Sequence, residues 1–157
     1  MVSLIVAKSK NNVIGNKGKL PWNISEDLKR FKELTTDNVV IMGRKTYESL
    51  PKKSKPLPNR INIIISRDEN YTVPNCLVFN DIKTAIRKAG TNKEVFIIGG
   101  GEIYKEGLNY VDKLYITEVE NDVVGDTYFP ELSGNWIEVK SEQKEGFKFV
   151  DYIYGRN

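Results

Sequence analysis

Short, nearly unbroken runs of aliphatic residues do most to limit what this chain can become: "SLIVA", "NVVIMG", "INIIIS", "EVFIIGG" and "KLYITEV". Each is too short to be a buried helix, and each lacks the polar alternation of a strand with one wet face. Strands of this kind are buried on both sides, as in parallel sheets covered by helices. The stretches between them supply the cover. The spacing predicts helices over 24–35, 44–50 and 81–90, with Asp81 as an N-cap and Gly90 as a stop, and a further helix opening at about Glu102. A weaker strand is expected at 76–79. The last two strands, near "NWIEVKSE" and "KFVDYIYG", are joined through Gly146 too closely for a crossover and should form an antiparallel hairpin at one edge. The expected fold is therefore α/β: a central eight-stranded, mostly parallel sheet with an antiparallel C-terminal strand, flanked by about four helices. With 157 residues and no linker, repeat or low-complexity tract, residues 1–157 read as one domain.

Composition removes several functions. The net charge is +3, with 24 basic against 21 acidic residues, so nothing argues for nucleic acid or a membrane surface as partner. No apolar stretch has the length of a membrane span, and "MVSLIVAKSK" is too short in its apolar part for a secretory signal, so a cytoplasmic monomer is expected. Cys76 is the single cysteine and there is no histidine. Intrachain disulfides, Ser-His-Asp and Cys-His catalysis, and histidine-ligated zinc are thereby excluded, and no metal is expected. Acid–base work falls to carboxylates, lysine, tyrosine or water.

One carboxylate sits oddly. In "LPWNISEDLKRFK" the apolar stripe runs Ile24, Leu28, Phe31, with Leu34 beyond, and Asp27 falls on or beside it. A first-turn acid that complements the helix dipole is the plain reading, and it holds for most such residues. Two strand-to-helix junctions stand out as well. In "IMGRKTYES" a strand ends at Gly43 before Arg44, Lys45 and Thr46; in "FIIGGGEIY" a strand ends in Gly99, Gly100 and Gly101. Open α/β sheets bind ligands beyond the carboxyl ends of their strands, with phosphate at helix N-termini. Three consecutive glycines let a ligand approach the backbone, although simple turn chemistry is an alternative. No G-x-G-x-x-G follows the first strand, so a dinucleotide would bind by an arrangement other than the Rossmann one. Arg44 and Arg67 could pocket an additional phosphate. The "PKKSKPLPNR" loop reads as a solvated connector.

Taken in order, "VIGNKGKLPWNISEDLKRFK", "VIMGRKTYESL", "PLPNRINIIIS", "VFIIGGGEIY", "KLYITEV" and "GDTYFP" resemble dihydrofolate reductase over essentially the whole chain. The resemblance implies an oxidoreductase that passes a hydride from NADPH to carbon 6 of 7,8-dihydrofolate while nitrogen 5 takes a proton, giving tetrahydrofolate for one-carbon metabolism. It also implies antifolate inhibitors as ligands. Asp27 matches the pterin-binding carboxylate, Thr117 the hydroxyl that hydrogen-bonds it, and Trp22 the tryptophan that orders water beside it. Ile5, Leu28, Phe31, Leu50, Leu57 and Ile98 match the apolar walls of the substrate cleft, and Arg60 the arginine that holds the α-carboxylate of the glutamate tail. On the cofactor side, the match covers Ala7, Ile14, Gly15, Gly43, Arg44, Lys45, Thr46, Ser66, Arg67, Ile98, Gly100, Gly101, Glu102, Ile103 and Tyr104. Arg44 and Arg67 fall where the 2′-phosphate is read, and the Gly99–Gly100 bond should be cis. Residues 15–24 match a mobile loop, and Asp126 a neighbouring residue that holds it closed. The pattern departs at Glu102, which sits beside the phosphates where some relatives carry a basic or small residue, at Lys17 in the mobile loop, and in the longer loop at 51–56. Two rivals remain at this point. A reductase of ribosylated pyrimidines on the same fold would keep the cofactor junctions without Asp27, "LPW" and Arg60 together. A catalytically silent binder would have lost the acid or blocked the glycine junction.

Overall fold

The computed structural model describes residues 1–156. The chain runs β1 (Val2–Ser9), β2 (Val13–Gly15), α1 (Ser25–Thr35), β3 (Val39–Gly43), α2 (Arg44–Ser49), β4 (Ile61–Ile65), β5 (Leu77–Phe79) and α3 (Ile82–Ala89). It continues through β6 (Val95–Gly99), α4 (Gly101–Gly107), β7 (Lys113–Val119), β8 (Thr127–Tyr128), β9 (Trp136–Gln143) and β10 (Phe147–Tyr154). Eight strands form one sheet in the order β5-β4-β3-β6-β1-β7-β10-β9. Pairing is parallel from β5 to β7, and β10 lies antiparallel between β7 and β9. The architecture matches the sequence expectation, including the edge hairpin through Gly146.

The aliphatic runs explain the layering. Successive side chains of a strand point to opposite faces, so each central strand feeds two cores. Leu4, Ile41, Ile63, Ile97, Leu114 and Ile116 pack on one face with Ile82 and Ala85 of α3 and Ile103 and Tyr104 of α4. Val40, Met42, Ile64 and Phe96 pack on the other with Phe31 and Leu34 of α1 and Tyr47 of α2. The Asp81 side chain accepts from the Thr84 N–H at 2.7 Å and starts α3, and Gly90 ends it at φ 74°.

The sheet opens at one place. The β1–β6 ladder stops at Leu4↔Ile97, while β1–β7 continues to Ser9↔Val119. Beyond Leu4 the two central strands part at their carboxyl ends, the place where open α/β sheets take ligands.

Two features escape sequence periodicity. Strands β2 and β8 form a separate two-stranded antiparallel sheet. They have three and two residues, too few for a period to register. The connector at 51–60 contains a 3-10 turn at Lys52–Ser54 and a cis Lys55–Pro56 bond. The Gly99–Gly100 peptide is cis, as the resemblance implies.

Candidate active site

Asp27 sits in the first turn of α1 and turns toward β7, where the Thr117 hydroxyl donates to its Oδ1 at 2.5 Å. Thr117 is itself buried. Burial raises the pKa of Asp27; the hydrogen bond from Thr117 and the positive charge of Arg30 oppose that rise. Tyr104 of α4 sits where β1 and β6 part. Its hydroxyl lies 2.9 Å from both the Ile5 and Ile98 carbonyl oxygens, bridging β1 and β6 where they part. Burial, and then the neighbouring negative charge of Asp27, hold the Tyr104 phenol well above its ordinary range, so it stays protonated. The Trp22 Nε1–H is buried with no acceptor from the described residues. A buried donor of this kind needs a partner, and a water or ligand polar atom fits it.

The expected substrate residues gather on one side. Ile5, Phe31, Leu50 and Ile98 are partly buried and pack against the same cluster as buried Leu57. Leu28 is different: it is 54% exposed and stands at the rim. Arg60 is held from behind. Its Nε donates to the Pro58 carbonyl at 2.9 Å and its Nη1 to Thr35 Oγ1 at 3.0 Å, with the guanidinium 5.9 Å from the Phe31 ring. Its other terminal nitrogen has no acidic partner among the described residues, and a planar fork oriented this way suits a carboxylate.

The two glycine junctions meet across the sheet. A side chain at Gly43 would press on Ile103 at 3.1 Å, and one at Gly100 on Thr46 Oγ1 at 3.1 Å. The helix N-termini of α2 and α4 can therefore lie close only because these positions are glycine. Gly101 has equally little room, with Thr127 of β8 at 3.0 Å from a built Cβ. Ile14 and Ile103 are buried beside this wall, Ala7 is partly buried on β1, and Lys45 is exposed. Arg44 lies over the Tyr71 ring at 4.1 Å and pairs with Glu48 at 3.4 Å and Asp68 at 3.7 Å. Ser66 is buried, and its hydroxyl accepts from the Asp68 N–H. Arg67 is 87% exposed and pairs with the departing residue Glu102 at 3.4 Å. This donor set suits an anionic dinucleotide: two helix N-termini, two arginines and a glycine wall.

The flanking loop is tied down. Asp126 Oδ2 accepts from the Lys17 N–H and Oδ1 from the Thr127 hydroxyl, both at 2.9 Å, while the Asp126 N–H donates to the Gly15 carbonyl at 3.0 Å. The bond to position 17 uses backbone, so the lysine side chain leaves it intact.

The sequence reading did not single out Arg30 and Asp151, which form a largely buried ion pair beside Asp27. Arg30 was discoverable, because residues three apart share a helix face. Asp151 interrupts the apolar run "FVDYI", a weaker signal.

The family model for dihydrofolate reductase matches residues 1–154. The chain belongs to the dihydrofolate reductase family. It is 52% identical to the dihydrofolate reductase of Buchnera aphidicola subsp. Acyrthosiphon pisum over 83% of this chain and 79% of that protein. The enzyme of Staphylococcus haemolyticus is 37% identical over 99% of this chain and 95% of its own length. Among solved structures, dihydrofolate reductase from Enterococcus faecalis, complexed with NADP(H) and RAB-propyl, superposes with a TM-score of 0.86 at 33% identity. That alignment covers 98% of this chain and 95% of the other. No helix among the described residues is long and apolar enough to cross a membrane.

Proposed function

We propose that this chain catalyses the NADPH-dependent reduction of 7,8-dihydrofolate to 5,6,7,8-tetrahydrofolate, acting as a single-domain cytoplasmic monomer. The observation that carries the reading is the Asp27–Thr117 pair, a half-buried carboxylate where β1 and β6 part. When bound, NADPH supplies the hydride that carbon 6 of the substrate receives.

The chain's own groups bind, orient and exclude water. Asp27 accepts from the 2-amino group and N3 of the pterin, and two charge-assisted bonds fix the ring's rotation. Thr117 holds that carboxylate in one rotamer. Ile5, Phe31, Leu50, Leu57 and Ile98 wall the ring, with Leu28 closing over it from the rim. Arg60 takes the α-carboxylate of the glutamate tail. Trp22 offers its buried N–H to a water beside Asp27. On the cofactor side, Ala7, Ile14 and Gly15 line the nicotinamide end. Gly43, Lys45, Thr46, Gly100, Gly101, Glu102, Ile103 and Tyr104 form the wall, and Arg44, Ser66 and Arg67 read the 2′-phosphate. Asp126 holds the 15–24 loop over the site. Antifolate inhibitors that mimic the pterin edge engage the same carboxylate.

The test follows NADPH absorbance with and without dihydrofolate. Consumption only when both are present supports the reading; NADPH binding without consumption would leave a silent binder or a different reductase. Asp27→Asn should bind NADPH normally and lose on the order of 10²-fold in turnover near neutral pH, the usual scale of acid–base assistance. Undiminished turnover in that variant rejects the assigned role.

A further inference from the structure

Three residues beyond Asp27, α1 carries a second charge facing the same ladder, and nothing in the proposed reaction uses it. Arg30 Nη2 donates to Asp151 Oδ1 at 2.7 Å, with the side chains only 19% and 8% exposed. The guanidinium lies over the Phe149 ring at 4.3 Å and 5.6 Å from the Tyr115 ring. In the β7–β10 ladder Phe149 stands opposite Thr117 and Asp151 opposite Tyr115. The Asp27–Thr117 and Arg30–Asp151 contacts are thus successive rungs joining α1 to one pair of strands.

A buried ion pair adds little stability over apolar groups of the same volume, so stability alone does not account for one here. Its position beside Asp27 does. The surroundings hold other titratable groups. Tyr104 faces Asp27 from α4, and Tyr115 lies on β7 with Lys113 Nζ at 4.5 Å from its ring. On β9, Lys140 is opposite Asp151, and Glu142 is bound by Lys144 at 2.8 Å, which also reaches Glu26 at 3.1 Å. Of these cations Arg30 is the one whose charge acts on Asp27.

We propose that Arg30 is a positioning residue for the reaction: held by Asp151 and two aromatic rings, it fixes α1 against the β7–β10 ladder and supplies the positive field in which the Asp27 carboxylate works. Asp151 tempers that field. The inference rests on the reading of Asp27 as the pterin-binding carboxylate.

The experiment uses the full chain with Arg30→Met and with Asp151→Asn. Carbon-13 NMR of labelled aspartate carboxyls, with the Asp27 signal assigned by its loss in Asp27→Asn, reads the titration in the free protein. The pH profile of kcat/KM for dihydrofolate reads it in the reaction. Arg30→Met should move both midpoints up, because a cation is lost, and Asp151→Asn should move both down, because the cation is unopposed. A purely structural clamp would lower activity in both variants with unmoved midpoints or shift them the same way, and either result overturns the proposal. If cutting the pair prevents folding, Arg30→Met combined with Asp151→Leu restores an apolar contact; its midpoint should rise, and an unchanged one rejects the idea. Failure of the underlying function looks different: Asp27→Asn then turns over normally, while the carboxyl titration still answers for Arg30.

Discussion

Burial holds the pKa of Asp27 above that of an unfolded-chain aspartate, and the stability consequence has the opposite sign to that of most carboxylates. Between the two pKa values the folded protein binds more protons than the unfolded chain, so stability falls as pH rises through that window. Asp27→Asn removes the charged form yet keeps an oxygen for the Thr117 hydroxyl. The variant should therefore melt higher than the parent at about pH 8, with the gain vanishing below pH ~3, where aspartate is protonated in both states. A gain of about 1 kcal/mol would appear as roughly 2–4 °C in a domain of this size. Calorimetry across pH decides it, and an equal or lower melting point at pH ~8 contradicts the burial argument. Arg60 makes a separate case. Its fork is oriented by Pro58 and Thr35, and Arg60→Lys keeps the charge but not the geometry. KM for dihydrofolate should rise about tenfold, or ~1.4 kcal/mol, with kcat nearly unchanged. A substrate lacking the glutamate tail should not respond.

At the scale of elements, the small β2–β8 sheet and the glycine junctions decide how the cofactor side is built. Gly125 precedes β8 in a position where an added Cβ would lie 2.2 Å from Val13 Cγ1 and 2.6 Å from the Gly15 carbonyl oxygen. Gly125→Ala should cost about 1–3 kcal/mol by overpacking, measured by urea denaturation, and should loosen the loop that Asp126 tethers. A second prediction concerns α4. If Arg67 reads the 2′-phosphate as proposed, Glu102 competes for it, and Glu102→Gln should tighten NADPH about twofold to fivefold and leave NADH unchanged in a fluorescence titration. Equal effects on both cofactors would remove Arg67 from the reading. These elements differ in how legible they are in the sequence. The aliphatic runs set the sheet because burial on both faces leaves a pattern within each strand. The glycines and Asp27 stand out because each breaks a local rule. Strand β8 does not, since it is two residues long, and although Arg30 and Asp151 each leave a local hint, their pairing leaves none, because it joins residues 121 positions apart. A register between distant elements is set by packing and leaves no local trace.

Across the whole molecule, the absence of histidine simplifies the response to pH. No side chain of ordinary pKa changes charge between about pH 5 and 8 in such a chain. Burial carries the Cys76 thiol and the phenols of Tyr47, Tyr71, Tyr104 and Tyr152 upward, away from that interval, and lowers the Arg60 guanidinium from far above it. Asp81, Asp126 and Glu142 move the other way, held down first by hydrogen bonds from Thr84, Lys17 and Lys144 respectively. Burial pushes the Asp27 carboxyl upward, toward the working range. Reduction takes up a proton at nitrogen 5, so turnover should fall as pH rises through the ionisation of the Asp27–pterin pair. The profile of kcat between about pH 5 and 9 should then follow one proton, the expected form for one essential acid. In Asp27→Asn the same scan should be low and nearly flat. A second ionisation in the parent, or a surviving slope in the variant, would mean that another group governs protonation.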